Sequence, residues 1–179
     1  TKGPNITITS PENGSITNKD QILLNATTNE NATCTYYFVT CSSSGNVGGC
    51  GGTAPKNMNI TGRLNHSQYV SDLTDTSSNQ WHNLHVNCTD SAGNSNTAFI
   101  KFYVDTTAPS IALESPANDS VVEIGTLINL TINDNLNIGK VWYSRWIINR
   151  TLNSPYDIDT SNWSKAEYTI TVYANDSAN

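Results

Sequence analysis

The chain has 179 residues with a net charge of −6, and only 13% of the residues are charged. Its polarity comes instead from 25 Asn and 42 Ser and Thr residues, so no basic stripe is available to neutralise nucleic-acid phosphates or to bind an anionic membrane surface. No apolar run reaches the roughly 20 residues that cross a bilayer, which predicts no membrane insertion. The length accommodates one typical domain or two small β-sandwiches.

Short alternating segments separated by turn residues run through the first hundred residues. They predict β-strands, because apolar side chains at every second position share one face of a strand. The predicted strands are Asn5 to Thr9, Gln21 to Thr27, Thr33 to Thr40, Met58 to Gly62, His82 to Thr89 and Thr97 to Val104. No segment shows the period of an amphipathic helix. This number and spacing of strands predict an all-β, immunoglobulin-like sandwich.

The sequence contains an internal repeat. Residues 1–15 align without a gap onto residues 106–120, at an offset of 105, and the match includes both prolines and the Ser-Pro-x-Asn turn. Residues 84–92 align onto residues 170–178 at an offset of 86, so the repeats differ by 19 residues in their middles. The alignment predicts two tandem immunoglobulin-like β-sandwiches.

The repeat sets two domain boundaries and leaves one strand without an equivalent. The first predicted domain spans residues 1–105 and carries a Gly- and Ser-rich insert with two cysteines, and the second spans residues 106–179. The closing strand of the first domain, Thr97 to Val104, has no counterpart in the second, because Asn179 aligns with Gly93. Either the chain is cut from a longer array or another molecule supplies the missing strand. An unpaired edge is a template for such a strand.

N-glycosylation acceptors are unusually frequent. The Asn-x-Ser/Thr pattern occurs twelve times, whereas the composition alone gives about six occurrences. The acceptors are Asn5, Asn13, Asn25, Asn31, Asn59, Asn65, Asn87, Asn118, Asn129, Asn149, Asn162 and Asn175. Several lie between apolar neighbours of a predicted strand, so the asparagine points to solvent when its neighbours face the core. The density predicts an N-glycosylated extracellular protein, and an Asn- and Thr-rich β surface without glycans is the alternative.

The linker Asp105-Thr106-Thr107-Ala108-Pro109, the turn Ser115-Pro116-Ala117-Asn118 and the two strand ends Cys88 to Asn94 and Tyr173 to Asn179 resemble the immunoglobulin-like repeats of large bacterial and archaeal surface proteins. The resemblance covers nearly the whole chain. It implies a stalk, adhesin, surface layer or filament, and it offers no catalytic residues. The cysteine-containing insert and the segment Trp142 to Trp146 depart from the common form.

Four cysteines allow three pairings, and strand geometry ranks them. Cys88 shares a face with two apolar residues of its strand, and Cys34 opens another core-facing strand, so a Cys34–Cys88 disulfide would link the two. Cys41 and Cys50 would then close the insert. Zinc is a weaker reading, because paired Cys-x-x-Cys spacing and suitable histidines are absent from the sequence.

No constellation in the sequence predicts catalysis, so we expect no enzymatic activity. His82 and His85 stand an odd number of positions apart on one strand, so they face opposite sides, and both are expected to be surface or rim residues. Neither a Ser/His/Asp nor a Cys/His nucleophile motif is recognisable, and no phosphate-binding Gly-rich loop lies between a strand and a helix.

Two weaker features concern ligands. Asp157 to Asp159 and Asn133 to Asn135 offer oxygen atoms of the kind that calcium binds, although Asx-rich loops are ordinary turn chemistry, and no other cofactor or metal is expected. Trp142 and Trp146 are placed by alternation on one face, where they could stack on sugar rings, although a core Trp is usual in this fold.

These observations together predict an extracellular, glycosylated structural protein of a cell surface or filament. Its expected partners are neighbouring copies or adjacent immunoglobulin-like domains that supply a β-strand, with surface glycans as a further partner. The short Pro-containing linker suits a stalk or fibre because it limits bending. The alternative is a carbohydrate-binding immunoglobulin-like module appended to a secreted enzyme.

Overall fold

The computed structural model describes residues 2–42 and 51–178, with side chains described for residues 2–39 and 52–178. The chain divides into two compact units, Thr1–Thr106 (unit 1) and Thr107–Asn179 (unit 2). The described residues form strands, turns and loops without a helix, and none of them forms a helix long and apolar enough to cross a membrane. The predicted all-β, immunoglobulin-like class is confirmed.

The described residues of unit 1 form eight strands. They are β1 (Ile6–Ser10), β2 (Ile16–Thr17), β3 (Ile22–Ser42), β4 (Gly51–Gly52), β5 (Lys56–Asn57), β6 (Arg63–Val70), β7 (Gln80–Asp90) and β8 (Ser95–Val104). The strand order β1-β3-β7-β8-β2 forms the main path, and β4, β5 and β6 also pair with β3.

The long strand β3 organises unit 1. Its amino-terminal half pairs with β1 and β6, its carboxyl-terminal half pairs with β7, β4 and β5, and the register shifts between Thr27 and Ala32. The two predicted strands Gln21 to Thr27 and Thr33 to Thr40 are therefore one continuous strand. Because β3 serves both sets of partners, inward side chains from both halves reach one core.

The core of unit 1 follows the predicted alternation. Leu24, Leu84, Val86, Phe102 and Val104 are fully buried, while the residues between them on each strand are half-buried or exposed. At about 25 cal/mol per Å² of buried apolar surface, these side chains supply the main stabilisation of the sandwich. Ile6 and Ile8 of β1 pack against this core from the side and are partly buried.

The predicted strand Met58 to Gly62 is wrong. This segment joins β5 to β6, and the strand lies at Arg63–Val70 instead. The inward residues of β6 are His66 and Val70, whereas the apolar Leu64 is 48% exposed. A buried histidine thus occupies a core position. Because histidine is polar, the alternating apolar pattern that predicts a strand is interrupted there.

Within residues 107–178, unit 2 forms six strands in two three-stranded sheets. They are β9 (Ser110–Ser115), β10 (Leu127–Asn133), β11 (Ile138–Arg145), β12 (Ile148–Leu152), β13 (Ile158–Asp159) and β14 (Ile170–Asp176). One sheet has the order β13-β10-β9 and the other β12-β11-β14. Buried residues of both sheets form the core, including Leu130, Ile132, Val141 and Tyr143.

The first turn of each repeat has the same backbone conformation. Gly14 in unit 1 has φ of 81°, and Asp119 at the aligned position in unit 2 has φ of 60°. This left-handed conformation favours glycine, and Asp is one of the few other residues that adopt it. A residue in the left-handed conformation thus stands at the same aligned position in both repeats.

Candidate functional site

Cys34 and Cys88 are joined by a disulfide across neighbouring strands of unit 1. The two residues lie opposite each other in the antiparallel pairing of β3 with β7, and both side chains are fully buried. They are 54 residues apart in sequence, so the bridge closes a long loop. Cys50 and the side chain of Cys41 lie outside the described residues, so the bridge between them stays a prediction.

His66 lies beside this disulfide and is 1% exposed. Its Nε2 is 2.9 Å from the hydroxyl of Thr28, and its Nδ1 is 3.3 Å from the hydroxyl of Thr61. Burial lowers the pKa of His66, so the ring is neutral at pH 7. Sulfur atoms bound to each other are not thiolate ligands, so this group of residues is a satisfied polar core rather than a metal centre.

His82 and His85 face opposite sides of β7, as predicted, but His82 is not a surface residue. His82 is 5% exposed, its Nε2 is 2.9 Å from the carbonyl oxygen of Thr74, and its ring packs against Phe102. The hydrogen bond makes an imidazole acceptable in the core. His85 is half-buried on the outer face, where it stacks on Phe99.

The acidic residues considered for calcium take part in local turns. Asp159 accepts hydrogen bonds from the backbone N–H and the hydroxyl of Ser161, and these bonds lower the pKa of its carboxyl group. Asp134 accepts a hydrogen bond from the backbone N–H of Leu136, 3.0 Å away. Among the described residues, neither Asp157 nor Asp159 belongs to a group of three or more neighbouring metal-ligating side chains. Calcium therefore gains no support at that loop.

Trp142 and Trp146 lie in separate aromatic clusters. Trp142, on β11, stacks on Tyr173 with ring centroids 5.4 Å apart and an interplanar angle of 9°. Trp146 lies in the turn after β11 with φ of 61°, and it packs against Tyr168, over which the Arg145 guanidinium also lies. The two Trp rings therefore do not form the single sugar-binding platform that alternation predicted.

None of the twelve acceptor asparagines is buried. Eight are exposed: Asn5, Asn13, Asn31, Asn59, Asn65, Asn118, Asn149 and Asn162. Four are half-buried: Asn25, Asn87, Asn129 and Asn175. The half-buried ones lie within strands whose neighbouring residues include core positions, which is the arrangement that alternation predicts.

The main asymmetry between the units is at the last strand of each. In unit 1, β8 pairs antiparallel along β7 and contributes three buried apolar residues, Ile100, Phe102 and Val104. In unit 2, β14 occupies the position of β7 and pairs with β11 on one side. On its other side β14 pairs with none of the described strands. We call this side of β14, which pairs with no described strand, the open edge.

The open edge leaves core-facing side chains incompletely covered. Leu84 and Val86 of β7 are each 0% exposed. The residues aligned with them in unit 2, Ile170 and Val172 of β14, are only half-buried. The aligned side chains are equally apolar, but β7 pairs with β8, whereas no described strand pairs with the corresponding side of β14.

Strand β9 shows the same deficit. Ile111 and Leu113 are 41% and 46% exposed, whereas the aligned Ile6 and Ile8 of β1 are partly buried against the core of unit 1. The exposed apolar residues of β9 and the half-buried ones of β14 thus belong to one incompletely covered core. Sequence alignment found no counterpart of β8 within residues 106–179, but the exposure of β9 is visible only in the structure.

Comparison with known proteins gives no family assignment: no family model and no curated protein matches the chain. Among solved structures, an engineered protein is 12% identical over 56% of this chain and 20% of its own length, with a TM-score of 0.40. A mutant of Salmonella alpha-2-macroglobulin is 6% identical over 98% of this chain and 15% of its own length, with a TM-score of 0.45.

Proposed function

We propose that this chain is a glycosylated structural protein of the cell exterior, a subunit or fragment of a cell-surface filament, stalk or adhesin without catalytic activity. Neighbouring copies are joined by strand complementation, in which a β-strand of one copy pairs with the open edge of unit 2 in the next. Main-chain hydrogen bonds along such an edge supply affinity, and pockets for alternate side chains supply specificity. The open edge of β14 is the observation that carries the proposal.

The pairing of β7 with β8 provides the register for the incoming strand. β8 runs antiparallel to β7, with Ile100 opposite Leu84. Because Leu84 aligns with Ile170, a large apolar side chain of the incoming strand belongs opposite Ile170. The next inward position of β14 is Val172, and its equivalent in unit 1 faces Ala98, so a small side chain belongs there.

The incoming strand would offer a large amount of apolar burial. Full burial of one large apolar side chain is worth about 1.5 to 3 kcal/mol, so a strand with three of them, like β8, contributes about 5 to 9 kcal/mol. This is comparable with the total stability of a typical domain. Unit 2 would therefore gain much of its stability from its neighbour.

Two further observations support an extracellular site. All twelve glycosylation acceptors lie at exposed or half-buried positions and none lies in the core. The buried Cys34–Cys88 disulfide is of the kind that forms and persists in an oxidising compartment.

A synthetic peptide with the sequence of residues 97–104 tests strand complementation on the 179-residue chain. The peptide should bind unit 2 and raise its unfolding midpoint, followed by the fluorescence of Trp142 and Trp163. At a peptide concentration 100 times the Kd, the stabilisation is about 2.7 kcal/mol. A control peptide with aspartate in place of Ile100 and Phe102 keeps the length and main-chain hydrogen bonds but should not stabilise unit 2.

The proposal fails if unit 2 unfolds as cooperatively as unit 1 without peptide and neither peptide changes its midpoint. Electron microscopy of native material provides an independent check, because the proposal requires filaments or end-to-end assemblies. Intact-mass measurement tests glycosylation, since a glycosylated chain exceeds 19.4 kDa by many sugar units and an unmodified one does not.

A further inference from the structure

The outer face of the sheet β12-β11-β14 carries a shallow cavity of about 390 Å³, lined by Lys140, Trp142, Asn149, Thr151 and Asn175. Asn149 and Thr151 are the acceptor and the hydroxyl residue of one glycosylation sequon. The lining consists of one aromatic ring and four polar side chains, and the volume lies near the lower end of the range for small-ligand sites. The attachment point for a sugar is therefore part of the cavity wall.

Tyr173 stacks on one face of the Trp142 ring, and the Lys140 ammonium also lies over the ring, 5.7 Å from its centroid. In the pairing of the strands, Trp142 lies opposite Tyr173 of β14 on one side and opposite Thr151 of β12 on the other. The Trp142 and Tyr173 rings are nearly parallel, with centroids 5.4 Å apart, so Tyr173 covers the face towards β14. The other face of Trp142 is directed towards β12 and the cavity.

Asn149 is placed to bring a sugar onto that face. It lies two residues before Thr151 and opposite Ser144, so it is a diagonal neighbour of Trp142 on the same side of the sheet. Diagonal neighbours in a sheet are about 7 to 8 Å apart, a gap that a pyranose ring attached to the asparagine amide can fill. Asn149 is exposed, so its amide is accessible for modification.

Lys140 and Asn175 complete the other end of the cavity. The Lys140 ammonium is 5.7 Å from the centroid of the Trp142 ring and can donate hydrogen bonds to sugar hydroxyls. The side-chain oxygen of Asn175 accepts a hydrogen bond from the backbone N–H of Lys140, 2.8 Å away. Asn175 is therefore held against the sheet, and Asn149 is the acceptor better placed to fill the cavity.

We infer that the N-linked glycan of Asn149 folds back onto its own protein, with the apolar face of its first sugar stacked on Trp142 and its hydroxyls near Lys140. The inference rests on the glycosylation included in the proposed function. It assigns the cavity to the chain's own carbohydrate, whereas a binding module would reserve it for a foreign sugar. The glycan at Asn149 should consequently stabilise unit 2, unlike a glycan that projects freely into solvent.

A double-mutant cycle on the native glycosylated chain tests this arrangement. Asn149→Gln removes the glycan, Trp142→Leu removes the stacking surface, and the double variant removes both. The two single effects on the unfolding equilibrium of unit 2 should differ from additivity by about fivefold or more. Asn118→Gln is the matched control, because Asn118 is an exposed acceptor of the same unit outside the cavity. Its effect should add to that of Trp142→Leu.

A second measurement needs no substitution at the aromatic ring. In NMR spectra of the unaltered glycoprotein, protons of the first sugar at Asn149 should show ring-current shifts that those at Asn118 lack. Additive effects in the cycle together with unshifted sugar protons would overturn the inference. Glycans at other acceptors but none at Asn149 would overturn it alone, whereas a chain without any glycan would also overturn the glycosylation in the proposed function.

Discussion

Replacing Phe102 by alanine tests whether the closing strand β8 is the main stabilising element of unit 1. The Phe102 side chain is fully buried, with its ring centroid 5.4 Å from that of His82 and 6.3 Å from that of Phe38. Phe-to-Ala changes at such positions cost about 3 to 5 kcal/mol. For a unit of this size, that loss lowers the unfolding temperature by about 15 °C or more.

The matched control is Phe99→Ala on the same strand. Phe99 is 66% exposed on the outer face, where it stacks on His85 with centroids 5.3 Å apart. Its removal should cost about 0.5 to 1.5 kcal/mol. Hydrogen exchange read by mass spectrometry in increasing denaturant separates β7 and β8 from unit 2. Equal losses of protection in the two variants would refute the argument that the inward side chains of β8 stabilise unit 1. They would also remove the basis for expecting a strand at the open edge to stabilise unit 2.

Three further outcomes are expected. Replacing Cys34 and Cys88 together by alanine should lower the free energy of unfolding of unit 1 by about 2 to 5 kcal/mol in denaturant titrations and leave that of unit 2 unchanged. An unfolding free energy equal to that of the parent chain would contradict a stabilising role of the disulfide. Burial lowers the pKa of His66 in the folded chain, whereas the unfolded ring has a pKa of about 6.5. The unfolded ring therefore binds a proton that the folded ring does not. Unit 1 should be most stable above pH ~6.5 and lose stability as the pH falls below it. His66→Gln should reduce that slope in titrations repeated across the pH range, and an unchanged slope would show that other groups cause it. Gly139→Ala would bring its new Cβ into a clash with the backbone oxygen of Asp176, so calorimetry should show unit 2 destabilised by about 1 to 3 kcal/mol. An unchanged transition would contradict this close approach.

Strand pairing beyond the local sequence explains where the predictions were incomplete. Alternation located β7 and β8 nearly to their ends, because apart from His82 each has an apolar inward face. It divided β3 into two strands, because the polar residues near Asn29 resemble a turn, whereas the structure continues the strand through them. It also missed β6, whose inward position is occupied by His66, a polar residue made acceptable by hydrogen bonds from elsewhere in the chain.

Some features of the candidate site could likewise be predicted from the sequence, and others could not. The repeat alignment alone identified the strand without an equivalent, and alternation alone placed the acceptor asparagines away from the core. Neither the alignment nor the alternation could show that Ile111 and Leu113 are exposed. The exposure of a strand's side chains depends on strands that are distant in sequence. Neither could separate Trp142 from Trp146, because the turn after β11 directs the second ring into another cluster.

The all-β class, the repeat and the outward faces of the strands could be predicted without the structure, because they follow from the two-residue period of a β-strand and from segments aligned within one chain. Three properties required the three-dimensional fold: which edge is unpaired, which apolar residues are uncovered and which acceptor lies beside Trp142. Those properties depend on pairing between residues far apart in the chain. A local sequence pattern does not show which distant strand will lie beside a given strand.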